Sequence, residues 1–487
     1  VPAYTTYTKK DYEYLIKDSQ AKTVFISNKK LFLNFLPVIK NNKQIKNIFS
    51  YEKISHSVNE NIIYIEDLWK EKIKNEDVKI KITEDDPACI IYTSGTSGIP
   101  KGVILTHKAI LSNLIGSLDI FKNINFNNEK YISFLPLSHS YEHTAGQFLP
   151  LLTSSEIFYA ENMDKLFTNF KEVNPTYIAA VPRFYEAIYK KILNNFSKNK
   201  ILEKLFNFNL NLGKKIYLNQ KKFLLLTRFF KFFFKIIFDN KIKKVFGTEL
   251  KFLISGGGAL SYDINLFFES IGIKILQGYG LTETSPTVSC NRPEFNKIGT
   301  VGPPIKGVEV KIANDGEILV KGDILMKGYL GKEKETKEKI KNNWLYTGDI
   351  GKVDKDNHLI ITDRKKDIIV TTGGDNIAPQ KIESLFSTLE TTAQVLIFGD
   401  NKPFLVALVL YKIDKNTSLT DAENEKEKID LHIKRINKKL SPIEKIRKSL
   451  FCSYDLNQMS TFLTPTMKIK RKKVYEKYRK DIEKLYN

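Results

Sequence analysis

Ile90-Ile91-Tyr92-Thr93-Ser94-Gly95-Thr96-Ser97-Gly98-Ile99-Pro100-Lys101-Gly102 runs an apolar, β-branched stretch into a loop built mostly of Gly, Ser and Thr and closed by one lysine. The apolar part predicts a strand, and 106–118 beyond the loop reads as a helix. Small residues let a backbone approach phosphate oxygens closely, their N–H and hydroxyl groups donate, and Lys101 supplies charge. The loop therefore reads as a phosphate cradle, with a plain flexible turn as the alternative. It is not a Walker A loop, because the GxxxxGK[ST] spacing is missing and Gly102 follows Lys101.

Runs rich in Ile, Val, Phe and Tyr recur at 88–92, 131–135, 177–181, 251–254 and 273–276, separated by stretches long enough for helices. That alternation predicts an α/β fold with a largely parallel, buried sheet, whose ligands sit in the loops where strands end. After about residue 298 the rhythm changes. Val308-Glu309-Val310-Lys311-Ile312, the turn Asn314-Asp315-Gly316 and Glu317-Ile318-Leu319-Val320 read as a β-hairpin, so 298–362 is expected to be a small antiparallel subdomain. A boundary is placed near Lys366, giving an N-terminal domain over 1–365 and a C-terminal one over 366–487. The second carries paired strands at 395–398 and 404–410 and then a helical Lys/Glu-rich tail.

With 487 residues, 42% of them hydrophobic, the chain is too large for a lone binding module and too apolar for wholesale disorder. Cys89, Cys290 and Cys452 form no ligand cluster, and a reducing cytoplasm fits them. The net charge of +22 is not gathered into one arm, so most of it reads as solvated surface and no nucleic-acid partner is expected. No charge-free apolar run is long enough to span a bilayer. The segment 221–238 mixes Phe and Leu with five cations. Two readings stand for it: a helix lying on an anionic membrane, which would place the protein peripherally on the inner face, or a buried helix with snorkelling lysines.

Four further stretches follow the loop in order: Ser255-Gly256-Gly257-Gly258-Ala259-Leu260-Ser261; Gln277-Gly278-Tyr279-Gly280-Leu281-Thr282-Glu283-Thr284-Ser285-Pro286; Trp344-Leu345-Tyr346-Thr347-Gly348-Asp349; and Asp363-Arg364-Lys365-Lys366-Asp367-Ile368-Ile369, with Gly373-Gly374 close behind. Together they resemble the adenylate-forming superfamily of acyl-CoA synthetases, adenylation domains and luciferases. Leu135-Pro136-Leu137-Ser138-His139-Ser140-Tyr141-Glu142-His143 and Val181-Pro182-Arg183-Phe184-Tyr185-Glu186 are similar to its long-chain fatty acyl-CoA synthetase branch. The resemblance implies a large N-terminal domain of mostly parallel sheets flanked by helices, a small antiparallel subdomain, and a small mobile α+β C-terminal domain.

It also implies two half-reactions, in which a carboxylate attacks ATP to give acyl-AMP and pyrophosphate, and coenzyme A then displaces AMP. Thr93, Ser94, Gly95, Thr96, Ser97, Gly98 and Lys101 would hold the outer phosphates. Tyr279 and Gly280 would lie on adenine, with Gly257 and Gly258 leaving room beside it. Thr282 would bond the α-phosphate and Glu283 a Mg2+ ion, a hard cation that needs few protein ligands when phosphates supply the rest. Asp349 would accept the ribose hydroxyls and Arg364 would donate to the same sugar, a structural ion pair being the alternative for the two. Leu463-Thr464-Pro465-Thr466-Met467-Lys468 matches the segment carrying the adenylation lysine, which by register is Lys468, with Lys470 and Lys472 as rivals. His139 would gate the acyl tunnel or else be a satisfied core histidine. Lys366 would be the hinge, and the face bearing Gly373 and Gly374 would serve thioester formation.

Val1-Pro2-Ala3-Tyr4-Thr5-Thr6-Tyr7-Thr8 resembles a point well inside the family's N-terminal domain, so an opening portion of a full member is expected to be missing. The rival activities are an aryl- or short-chain acyl-CoA ligase, a fatty acyl-acyl-carrier-protein synthetase or other carrier-loading enzyme, and a non-catalytic membrane- or RNA-binding relative.

Overall fold

The computed structural model describes residues 1–40, 42–54, 62–70, 80–93, 99–124, 126–218, 245–389, 394–412, 419–454, 461–464 and 469–487. They cluster into two compact units, Val1–Ile110 with Met326–Glu338 and Leu111–Leu325 with Lys339–Asn487.

In the first unit, helix Lys9–Ser19 starts at a capping box in which Thr8 and Asp11 each satisfy the other's backbone N–H. Its Tyr12 and Ile16 pack on Phe32, Phe35 and Val38 of helix Lys29–Ile39. Strands Thr23–Ile26, Asn47–Ser50 and Ile62–Tyr64 form a parallel sheet beside them. The strand expected at 88–92 is present as Pro87–Thr93, but it belongs to an antiparallel pair with Lys101–Thr106 and not to a parallel crossover. A helix beginning at His107 follows only after this second strand. The reason is local: Val103-Ile104-Leu105-Thr106 is β-branched and apolar, and its backbone finds partners across the loop sooner than within a helical turn.

The second unit is built on a six-stranded sheet in the spatial order Thr287–Cys290, Ile275–Gly280, Phe252–Ser255, Tyr177–Ala180, Lys130–Ser133, Glu156–Tyr159. Its pairs are parallel except the first, which is antiparallel. Phe252–Ser255 and Tyr177–Ala180 are buried along their whole length, as central parallel strands covered on both faces must be. Phe184, Ile188 and Ile192 of helix Pro182–Ser197 and Ile264, Phe267 and Phe268 of helix Tyr262–Ser270 fill one core with them. The hairpin read from the sequence is present, Glu309–Ile312 against Glu317–Lys321, and Trp344–Val353 and Leu359–Arg364 extend it.

Further along, Gln394–Phe398 runs antiparallel to Leu405–Lys412. Alternation sorts the second of these strands. Leu405, Ala407 and Val409 meet Ile429, Ile433 and Ile436 of helix Leu419–Asn437. Val406, Leu408 and Leu410 meet Val474, Tyr478 and Ile482 of helix Arg471–Lys484. The tail is not wholly helical as expected: Ile446–Tyr454 is a strand, parallel to Leu405–Lys412. No helix among the described residues is long and apolar enough to cross a membrane. The basic aromatic segment 221–238 lies outside the described residues.

Candidate nucleotide site

One cluster in the second unit joins Tyr279 to residues 70 and 85 positions further along the chain. Strand Ile275–Gly280 ends at Tyr279, whose hydroxyl donates to Asp349 Oδ2 at 2.7 Å. Asp349 lies opposite Arg364 across the antiparallel pair, and Arg364 Nε meets Asp349 Oδ1 at 3.1 Å. Only 4% of Asp349 is exposed, so each carboxylate oxygen faces a donor and not bulk water. Burial, and the Asp349 charge beside it, push the Tyr279 hydroxyl well above its ordinary pKa, which keeps it a neutral donor.

The next turn is equally constrained. A Cβ at Gly280 would fall 1.9 Å from the Pro286 carbonyl oxygen, so no larger residue fits there. Thr284 Oγ1 accepts the Leu281 N–H at 3.0 Å, and Asn113 Nδ2 donates to the carbonyls of Thr284 (3.0 Å) and Thr287 (2.8 Å). Thr282 and Glu283 sit in the short 3₁₀ turn this creates, half-buried, with Thr282 Oγ1 3.1 Å from Ser140 Oγ. His139 Nδ1 accepts the Tyr141 N–H at 3.2 Å, so that ring nitrogen is occupied locally. Gly257 has a left-handed φ of 76°, and added methyls at Gly257 and Gly258 would reach only ordinary contact with Val181 and Pro182 at 3.5 Å.

In the first unit Thr93 and Lys101 face each other across the antiparallel pair, and the Lys101 ammonium stands 5.0 Å from the Tyr329 ring centroid. Tyr14 donates to the Pro100 carbonyl at 2.8 Å. Ser94, Gly95, Thr96, Ser97 and Gly98 lie outside the described residues, as does Lys468. Gly373 and Gly374 occupy the turn between Ile369–Val370 and Asn376–Ile377, where Gly374 has φ 82°. Lys366 follows the last strand of the antiparallel subdomain, two residues beyond Arg364. Partial burial and the nearby cations Arg364 and Lys339 hold its ammonium below the usual lysine range.

Two charged side chains near Asp349 were not singled out from the sequence. Lys339 Nζ donates to the Thr347 carbonyl at 3.0 Å. Burial lowers its pKa, while Glu283 and Asp349 pull it back toward the charged form. Glu317, read only as part of a hairpin, is buried and accepts the Gly348 N–H at 2.8 Å. Neither carries a local signal, because a Lys on a charged helix and a Glu beside a turn read as solvated.

Glu142 is a third. It opens a π-helix over Glu142–Phe148, 1% exposed, accepting Ser133 Oγ at 2.6 Å and the Tyr131 hydroxyl at 3.1 Å. A Cβ at Gly146 would lie 2.4 Å from its carboxyl carbon, so the glycine makes its room. Burial outweighs these hydrogen bonds and pushes its pKa up from 4.5 to about 7. The folded state then holds the proton more tightly than the unfolded chain. Stability from this group therefore falls as pH rises from 4.5 to about 7 and is level above that. Glu142→Gln is expected to raise the calorimetric Tm at about pH 8 and to leave it near the parent's at about pH 5. An equal shift at both values would refute the assignment.

Against this geometry, the family described as AMP-binding enzyme matches residues 1–330, and AMP-binding enzyme C-terminal domain matches residues 366–487. The chain belongs to the AMP-binding enzyme family. Its place is in the long-chain acyl-CoA synthetase branch of these adenylate-forming proteins. It is 32% identical over 424 residues to the long-chain-fatty-acid–CoA ligase FadD15 of Mycobacterium bovis, covering 82% of this chain and 70% of that one. It is 37% identical over 344 residues to the peroxisomal long chain acyl-CoA synthetase 6 of Arabidopsis thaliana, covering 67% and 48%. Among solved structures, the anthranilate CoA ligase AuaEII in complex with anthranoyl-AMP aligns with TM-score 0.74 at 18% identity, over 99% of this chain and 83% of that one. At that identity the family fold is what is shared.

Proposed function

We propose that this chain activates a long-chain fatty acid with ATP and passes the acyl group to coenzyme A. In the first step a fatty-acid carboxylate oxygen attacks the α-phosphorus, the bond to the bridging oxygen of the β-phosphate breaks, and pyrophosphate leaves. In the second the thiol sulfur attacks the acyl carbonyl carbon, the thiol proton is lost, and AMP departs. The observation that carries the reading is the Tyr279–Asp349–Arg364 cluster around the buried Asp349 carboxylate, formed by motifs of a family whose relatives are long-chain acyl-CoA ligases.

In this reading Asp349 accepts the ribose hydroxyls, Arg364 donates to the same sugar, and the ring of Tyr279 lies on adenine beside Gly257, Gly258 and Gly280. Thr93, Lys101 and residues 94–98 bind the outer phosphates, and Thr282 the α-phosphate. Glu283 offers one carboxylate for Mg2+, which suits an ion that takes its other ligands from phosphates and water; bound there, Mg2+ would neutralise phosphate charge. Lys468 serves adenylation. Residues 1–365 and 366–487 act as separate domains about Lys366, with Gly373 and Gly374 on the face used for thioester formation, and His139 stands at the acyl entrance.

Pyrophosphate release measured against a panel of carboxylates, with and without coenzyme A, tests this. Release confined to long-chain acids, with acyl-CoA appearing when the thiol is added, is the expected result. Preference for aryl or short acids, or transfer only to a carrier protein, would favour those rivals.

We also place the protein in the cytoplasm, with residues 221–238 resting on an anionic membrane, a reading supported by their mix of Phe and cations. Replacing Phe229, Phe230, Phe233 and Phe234 by Ser is expected to lower co-sedimentation with anionic liposomes. Unchanged binding refutes it.

A further inference from the structure

We propose that Glu317 is a positioning residue for the nucleotide, holding the turn that presents Asp349 and the hinge-side lysine Lys365 as one clamp. The inference rests on the ATP-binding reading above and adds a residue to it. Glu317 is 6% exposed on strand Glu317–Lys321, and a buried carboxylate is costly unless both oxygens are satisfied. Here they have different partners. Oε1 accepts the Gly348 N–H at 2.8 Å, and Oε2 meets Lys365 Nζ at 3.0 Å.

The third side of the triangle is backbone. The Lys365 N–H donates to the Gly348 carbonyl at 2.9 Å, so both peptide groups of Gly348 are fixed, one by Glu317 and one by Lys365. Gly348 has φ 77°, a left-handed turn that glycine takes without strain. Its neighbours are pinned too: Thr347 Oγ1 donates to the Ile318 carbonyl at 2.7 Å and accepts the Asp349 N–H at 3.1 Å. Asp349 thus hangs from a turn whose conformation depends on where Lys365 sits. If Lys365 withdrew, Glu317 would remain as a buried charge lacking this cation, and the disturbance would fall on Gly348, one residue from the ribose carboxylate.

The alternative is an ion pair that stabilises the sheet and nothing else. ATP binding to the full chain by calorimetry, with Michaelis constants for ATP and for a long-chain acid, separates the two. Glu317→Gln keeps an acceptor for Gly348 but loses the ion pair; Lys365→Met loses it from the exposed side. Each is expected to weaken ATP binding about tenfold with the fatty-acid KM unmoved, the scale of one lost charge-assisted hydrogen bond. The double variant should be no weaker than Lys365→Met alone, because that substitution already removes the Lys365–Glu317 contact together with the more exposed Lys365–Asp315 pair at 2.6 Å. Lys321→Met, which breaks the exposed Lys321–Glu309 pair on the same sheet, is expected to change neither constant.

Additive losses, or equal losses for ATP and acid, overturn the clamp. If Glu317→Gln does not fold, Lys365→Met must show the ATP-specific loss alone, and its absence overturns the proposal. An unsubstituted chain that binds ATP yet releases no pyrophosphate with any acid overturns the functional reading while leaving the clamp testable by binding. One that binds no ATP overturns both.

Discussion

Replacing Lys468 by alanine is expected to slow acyl-AMP formation by about two to three orders of magnitude, the scale of losing one preorganised donor to a developing anion. Thioester formation from supplied acyl-AMP should survive. The reason is charge. A carboxylate closing on a phosphate brings two anions together, and an ammonium bonded to both relieves their repulsion only as they converge, so its effect falls on the rate and not on substrate affinity. The residues flanking this lysine are anchored. Leu463 and Ile469 form an antiparallel bridge, the Lys470 N–H donates to the Phe462 carbonyl at 2.7 Å, and Phe462 packs with Val474 and Tyr478. Lys470→Ala and Lys472→Ala serve as comparisons, because register alone separates the three lysines. Pyrophosphate exchange measures the first step and coenzyme A consumption from synthetic acyl-AMP the second. Full exchange by the Lys468 variant, or its loss in the Lys470 or Lys472 variant instead, would reassign the role.

The sequence and the fold agree where one physical rule dominates. Within 177–181 and 251–254, Tyr177–Ala180 and residues 252–254 are apolar on both faces and lie in the central strands of the parallel sheet. The Asn314-Asp315-Gly316 turn closed the hairpin as turn chemistry requires. Reading failed where two rules competed. Lys101–Thr106 was hidden because a cradle lysine and a helix start bracket it. Ile446–Tyr454, with Arg447, Lys448 and Ser449, looks like a solvated helix, yet it adds to Leu405–Lys412, where burial of Leu408 and Leu410 sets the register.

The same contrast holds at the candidate site. Tyr279, Asp349 and Arg364 could be named only because their motifs occur in a recognisable order; no spacing rule reaches across 70 residues, and the structure supplied their contact. Glu317, Lys339 and Glu142 acquire their environments only in the folded chain. Their interest comes from burial and from partners distant in sequence, such as Glu317 with Gly348, which composition and periodicity do not encode.

The second large effect concerns Asp349. Asp349→Asn keeps the side-chain shape but exchanges one acceptor oxygen for a donor NH2 group. Both partners already present, the Tyr279 hydroxyl and Arg364 Nε, donate to the carboxylate, so the amide must either turn its NH2 group against the donor-only guanidinium or force the Tyr279 hydroxyl to reverse its role and accept. If the carboxylate also receives two ribose hydroxyls, the substitution loses charge-assisted bonds to the ligand, and ATP affinity is expected to fall about a hundredfold, roughly 2.7 kcal/mol. Fatty-acid affinity should not move. Arg364→Lys tests the other half, since an ammonium retains the charge but not the planar fork, and a smaller loss confined to the nucleotide is expected. A structural ion pair makes the opposite forecast: both variants would lower Tm while ATP affinity stayed at the parent value. Calorimetric titration with ATP beside a thermal scan of the same samples decides between them, and retained affinity in a destabilised Asp349→Asn variant would remove the ribose role from Asp349.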